Sequence, residues 1–135
     1  MRIACIGGGP AGLYFSISMK LIDPLCEVVV LERNKPDDTF GWGVVLSDET
    51  LDNLHANDPI SAASIRENFA YWDDIALHFR GERLVSTGHG FCGIGRKKLL
   101  MLLQERARAL GVDLRYETEV ESVEAYKGEY DVVVA

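Results

Sequence analysis

Residues 3–12 read Ile3-Ala4-Cys5-Ile6-Gly7-Gly8-Gly9-Pro10-Ala11-Gly12, and their reading decides the fold. Arg2–Ile6 is a short apolar run that stops at a glycine cluster, as a buried strand does. Pro10 stands where the first residue of a helix belongs, because a helix has no use for the N–H that proline lacks there. Leu13, Ile17 and Leu21 then recur at helical spacing. The helix should end before Pro24, since the residue preceding a proline is pushed out of the α region. Glu27–Glu32 contains Val28-Val29-Val30-Leu31, a continuous run expected of a parallel strand buried on both faces. Residues 2–32 therefore predict β-α-β.

The glycines Gly7, Gly9 and Gly12 fit G-x-G-x-x-G, with a strand before them and a helix starting inside them. Gly7 permits the tight turn, Gly9 lets a pyrophosphate approach the backbone, and Gly12 lets the helix pack closely on the sheet. The helix N-terminus offers N–H groups and a partial positive charge to an anion. Glu32 lies 20 positions after Gly12, at the end of the second strand. A carboxylate there accepts hydrogen bonds from ribose hydroxyls and repels a 2′-phosphate, although Arg33 beside it softens the repulsion. The bland alternative is a glycine-rich turn with no ligand.

Downstream, Arg33–Leu46 reads as loop. Ser47 caps a short helix through about Ala56, and Asp58-Pro59 opens a second one ending near Asn68. Tyr71–Phe79 and Arg83–Thr87 flank Arg80-Gly81-Glu82 as a β-hairpin. His89–Gly95 is glycine-rich. Arg96–Leu110 is an amphipathic helix with Leu99, Leu103, Ala107 and Leu110 on one face and Gly111 as its stop. Asp113–Tyr116, Val120–Ala125 and Asp131–Val134 read as strands. Arg96-Lys97-Lys98 sets three cations against the helix dipole, a local conflict of the kind found at functional sites. Lys97 and Lys98 are expected to extend into water, and Arg96 to contact a ligand.

The remaining polar residues are weaker candidates. His55, His78 and His89 have no metal-ligand spacing, so no metal is expected. Asp73-Asp74 reads as a solvated turn, and Ser47 and Ser86 sit in no nucleophile-elbow pattern. Trp42, between two glycines, either lies near a flat ligand or plugs an apolar gap.

The chain has 135 residues, a net charge of −7, 47% hydrophobic and 26% charged residues. That composition excludes a disordered tail and a collagen-like chain. The acidic balance argues against a nucleic-acid partner. Cys5, Cys26 and Cys92 are odd in number and widely spaced, which points to reduced thiols in a cytoplasmic protein and not to a disulfide framework. No signal peptide is seen, and no apolar run approaches the ~20 residues of a membrane span.

Ile6-Gly7-Gly8-Gly9-Pro10-Ala11-Gly12-Leu13, Glu32-Arg33, Gly95-Arg96, Gly111-Val112 and Tyr130–Ala135 together resemble the N-terminus of FAD-dependent aromatic hydroxylases of the p-hydroxybenzoate hydroxylase class. Gly41–Leu51 and Gly88-His89-Gly90-Phe91 more narrowly resemble the FAD region of salicylyl-CoA 5-hydroxylases and the violacein-pathway tryptophan hydroxylases. The resemblance covers essentially the whole chain. It implies that Gly7, Gly8, Gly9, Pro10, Ala11 and Gly12 hold the FAD pyrophosphate. It also implies that Glu32 holds the adenosine ribose, with Arg33 over the adenine side. Arg96 would be a ribose and phosphate contact, and Val120 would lie beside the adenine. Where hydroxybenzoate hydroxylase carries arginines in the loop after Glu-Arg, this chain has Trp42 and Val44.

The implied activity is monooxygenation, with NADH or NADPH as electron donor and O2 as co-substrate. The implied substrate is an aromatic small molecule, with a CoA thioester or an indole among the candidates. The fold class expected is α/β, a Rossmann-like FAD-binding βαβ core on a parallel sheet with an inserted β-hairpin and short helices. Residues 1–135 are expected to be the N-terminal portion of that domain, incomplete, with the substrate domain downstream. Alone, such a piece should bind FAD weakly or not at all, catalyse nothing, and be able to form a homo-oligomer through surface that the missing part would cover. No catalytic residue is assigned. The rival readings are an NAD-binding Rossmann module of a dehydrogenase or reductase, and a non-catalytic flavoprotein-like interaction module.

Overall fold

A computed structural model describes residues 1–135. Along the chain run β1 (Arg2–Ile6), α1 (Pro10–Ile22), β2 (Glu27–Leu31), β3 (Gly43–Ser47), α2 (Asp48–Asn57) and α3 (Pro59–Arg66). They are followed by β4 (Ala70–Trp72), β5 (Ile75–Phe79), β6 (Glu82–Ser86), β7 (Phe91–Gly95), α4 (Arg96–Ala109), β8 (Asp113–Arg115) and β9 (Val132–Val134). The chain divides into two units, Met1–Phe40 with Lys97–Ala135, and Gly41–Arg96.

The first unit is built on a parallel sheet of order β8-β2-β1-β9. Val28, Val29, Val30 and Leu31 are all buried, as a parallel strand covered on both faces requires. Ala4, Val29 and Leu31 form one apolar face, against which Val120, Tyr126, Tyr130 and Val133 pack. Helix α1 packs against β1 and β2 and buries Leu13 and Ile17 completely. Strand addition runs outward from β1 through β2 to β8, then resumes on the other side of β1 with β9. Such a reversal opens a crevice at the carboxyl ends of the strands.

The second unit contains an antiparallel sheet of order β3-β7-β4, helices α2 and α3, and the separate hairpin β5–β6. The expected caps form: Ser47 Oγ accepts from Thr50 N–H at 3.3 Å, and Asp58 Oδ1 accepts from Ile60 N–H at 3.3 Å. Phe79 pairs with Glu82, so the hairpin turn is Arg80-Gly81, with φ of 50° and 83°. Two positive φ values identify the type I′ turn whose twist suits a hairpin.

Three expectations need correction. Arg33–Leu46 is not loop throughout, because Gly43–Ser47 is strand β3, paired along its length with β7. The glycine-rich stretch is itself that partner strand. Gly93 pairs there with both Val45 and Ala70, and the Trp72 ring covers it, 3.0 Å from where a Cβ would stand. Tyr71–Phe79 is two strands, β4 and β5, separated at Asp73-Asp74. Asp73 turns the chain there by accepting from Gly90 N–H at 3.0 Å through its side chain and from His89 N–H at 3.1 Å through its carbonyl. Val120–Ala125 is not a strand. Ser122 Oγ accepts from Glu124 N–H at 3.2 Å and starts a 3-10 turn over Val123–Tyr126.

Candidate dinucleotide-binding site

The site grows out of the end of β1. Gly7 N–H donates to Leu31 O at 2.8 Å, which ties the first residue of the turn to the end of β2. Gly7 has φ +108°, a conformation other residues avoid. The other glycines serve three different purposes. A Cβ at Gly12 would stand 2.1 Å from Gly7 O and 3.1 Å from Cys5 Sγ, so only glycine lets α1 close onto the turn. A Cβ at Gly8 would stand 2.9 Å from Glu32 Cβ. A Cβ at Gly9 would meet nothing within 4 Å. Gly9 therefore serves no packing need within residues 1–135, and the space beside it is what a ligand could fill.

Gly9 is also the N-cap of α1. It supplies no capping side chain, and no acidic residue occupies the first turn. The helix terminus thus keeps its partial positive charge for an anion. Beside it lies a cavity of about 370 Å³ lined by Gly7, Gly9, Ala11, Gly12, Phe15 and Val134, among others. A second cavity of about 220 Å³ is lined by Ile6, Gly7, Leu31, Arg33, Thr118, Glu119 and Val120. Both include Ile6 and Gly7, so they flank the turn at the carboxyl end of β1. A larger depression of about 450 Å³ includes Arg2, Glu27 and Asp113, at the opposite ends of the strands. Its one glycine, Gly111, lies in the turn after the C-terminal end of α4 and not at a helix N-terminus, and the crevice rule for open parallel sheets favours the other end.

Glu32 sits beside the turn, with both oxygens engaged. Oε2 accepts from Gly8 N–H at 2.7 Å. Oε1 accepts from the backbone N–H and from Nδ2 of Asn34, both at 2.8 Å. Its backbone is fixed as well: Glu32 N–H donates to Arg115 O, and Thr118 N–H donates to Glu32 O, each at 2.9 Å. Cys5 lies under the turn. Burial pushes its thiol up from 9.0, with a Ser16 hydrogen bond working the other way, so the group is a packed neutral thiol and not a nucleophile.

Of the residues singled out in the sequence, Gly7, Gly8, Gly9, Pro10, Ala11, Gly12 and Glu32 come together at this turn, with Arg33 and Val120 on one of its cavities. Arg96 belongs to the second unit, where its N–H donates to Trp42 O at 3.2 Å. Trp42 is 99% exposed, so it plugs no apolar gap within residues 1–135. Lys97 does not simply extend into water but pairs with Asp37 at 3.4 Å, an exposed pair of little energetic weight. Asn34 was missed. Its signal was present, since asparagine side chains favour hydrogen bonds to groups one or two residues away.

These features define the class: a glycine turn on a parallel βαβ unit, an uncapped helix N-terminus and a carboxylate ending the second strand. Residues 1–135 match the family described as FAD binding domain, and the chain belongs to it. It is 49% identical over 134 residues to a salicyloyl-CoA 5-hydroxylase of Streptomyces sp, covering 99% of this chain and 26% of that protein. It is 36% identical over 138 residues to a protodeoxyviolaceinate monooxygenase of Chromobacterium violaceum, covering 99% of this chain and 36% of that one. Among solved structures, the tetrameric form of 2-methyl-3-hydroxypyridine-5-carboxylic acid oxygenase superposes with a TM-score of 0.77 at 26% identity, over 87% of this chain and 32% of that one. The chain thus spans about a quarter to a third of the length of these proteins.

Proposed function

We propose that this chain is the FAD-binding segment of a flavin-dependent monooxygenase that hydroxylates an aromatic substrate with NAD(P)H and O2. The observation that carries the cofactor is the empty space at Gly9, open to the uncapped terminus of α1 and to a cavity of about 370 Å³. The aromatic substrate class is supported by the relatives' names, one a CoA-thioester hydroxylase and another a violacein-pathway monooxygenase. The same names disfavour a dehydrogenase module.

In this reading the N–H groups at the start of α1 hold the pyrophosphate. Glu32 accepts from the adenosine ribose, while Arg33 and Val120 border the adenine in the smaller cavity. Arg96 adds a ribose or phosphate contact. Bound FAD supplies the electron transfer from nicotinamide to O2 that hydroxylation requires. The part of the enzyme that touches substrate would lie outside the quarter of the hydroxylase's length matched here. Three buried free thiols support a reducing, cytoplasmic setting. The apolar face of β5–β6, with Leu77, Phe79 and Leu84 each more than half exposed, supports a surface for self-association.

The test is titration of the flavin-free full-length protein with FAD, followed by the visible flavin band after removal of free ligand. Retention of FAD is expected, with weaker retention by Arg96→Ala. No uptake of FAD would refute the cofactor assignment, and unchanged affinity in Arg96→Ala would refute that residue's role.

A further inference from the structure

Glu32 is held by three donors, and one of them comes from a side chain outside the glycine fingerprint. A carboxylate has about four acceptor positions. Asn34 fills both positions of Oε1, and Gly8 fills one of Oε2. A single position is left, on Oε2. The two backbone donors are fixed by the course of the chain, because Gly8 is locked in the turn and Glu117 N–H holds Asn34 O at 3.2 Å. The Asn34 amide is the one donor of the three that a side-chain substitution can remove.

We propose that Asn34 is a positioning residue for the ribose-binding carboxylate: its side-chain amide pins Glu32 Oε1, so that Oε2 presents one acceptor position to the adenosine ribose. The proposal rests on the reading of Glu32 as the ribose acceptor. A glutamate has three side-chain torsions, and leaving them free would charge their ordering to the binding step. Asn34 orders them before the ligand arrives. The pyrophosphate cradle at Gly9 and α1 does not depend on this bond. Loss of the Asn34 amide should therefore be felt only by a ligand with ribose hydroxyls to donate.

The experiment is calorimetric titration of the flavin-free full-length protein and its Asn34→Ala and Asn34→Asp variants. The two probes are ADP and 2′,3′-dideoxy-ADP, which lacks the hydroxyls. Asn34→Ala is expected to weaken ADP about tenfold, the size of one hydrogen bond to a charged group. Asn34→Asp keeps the shape of the side chain, sets a second carboxylate against Oε1, and should weaken ADP further. Dideoxy-ADP should bind all three proteins equally. Equal weakening of both nucleotides, with or without a lower melting temperature, would show a merely structural role and overturn the proposal. Unchanged ADP affinity in both variants would overturn it too. If the unsubstituted protein binds dideoxy-ADP as tightly as ADP, or binds neither, the ribose reading of Glu32 has failed and the proposal falls with it.

Discussion

At the scale of single residues, the four glycines of the turn look alike in the sequence and are not alike in the structure. Gly7 is set by its φ of +108°, Gly12 by a Cβ that would press on Gly7 O at 2.1 Å, and Gly8 by the stem of Glu32. Only Gly9 has neither a packing reason nor a positive φ to require glycine. Gly12→Ala should destabilise the fold by about 2–3 kcal/mol, as overpacking does, because the opposing atom is backbone and cannot swing aside. Thermal unfolding checks this, and a melting temperature equal to the parent's would contradict it. The fingerprint glycines and Glu32 were legible because each answers to a local rule of turn, approach or helix packing. The contacts that Gly8 and Asn34 make with Glu32 were not, because they depend on where the Glu32 side chain lies, and a spacing pattern carries no side-chain direction.

At the scale of elements, the βαβ unit was legible because its strand, proline-started helix and β-branched strand follow each other directly. Strands β3 and β7 were not. Each is a short glycine-bearing segment whose strand pairing comes from residues distant in sequence, β3 with β7 and β7 with both β3 and β4. Val120–Ala125 failed for the opposite reason, since a local cap at Ser122 starts a 3-10 turn there. The short helices were legible from their caps, and one cap is deeply buried. Asp58 is 1% exposed and bonds both Ile60 N–H and, at 2.6 Å, Ser61 Oγ. Asp58→Ala removes the cap of α3 and strands the buried Ser61 hydroxyl, and should cost about 2 kcal/mol. Asp58→Asn, which keeps an acceptor at that place, should cost less. Denaturant titration ranks the two, and equal stability of Asp58→Ala and the parent would refute the role.

At the scale of the whole molecule, a parallel sheet, its strand-order reversal and the glycine turn converge on one crevice at the carboxyl ends of β1 and β9. Nothing in the unit's own packing occupies the space at Gly9, which is the basis for assigning the crevice to FAD. The most direct measurement compares FAD retention and thermal unfolding of the full-length protein and its Gly9→Val variant. Gly9 has φ −72° and ψ 176°, which valine adopts without strain, and its Cβ would touch nothing. An unchanged unfolding temperature for the flavin-free protein is expected, together with loss of FAD binding. A Gly9→Val protein that retains FAD with the parent's affinity would contradict it.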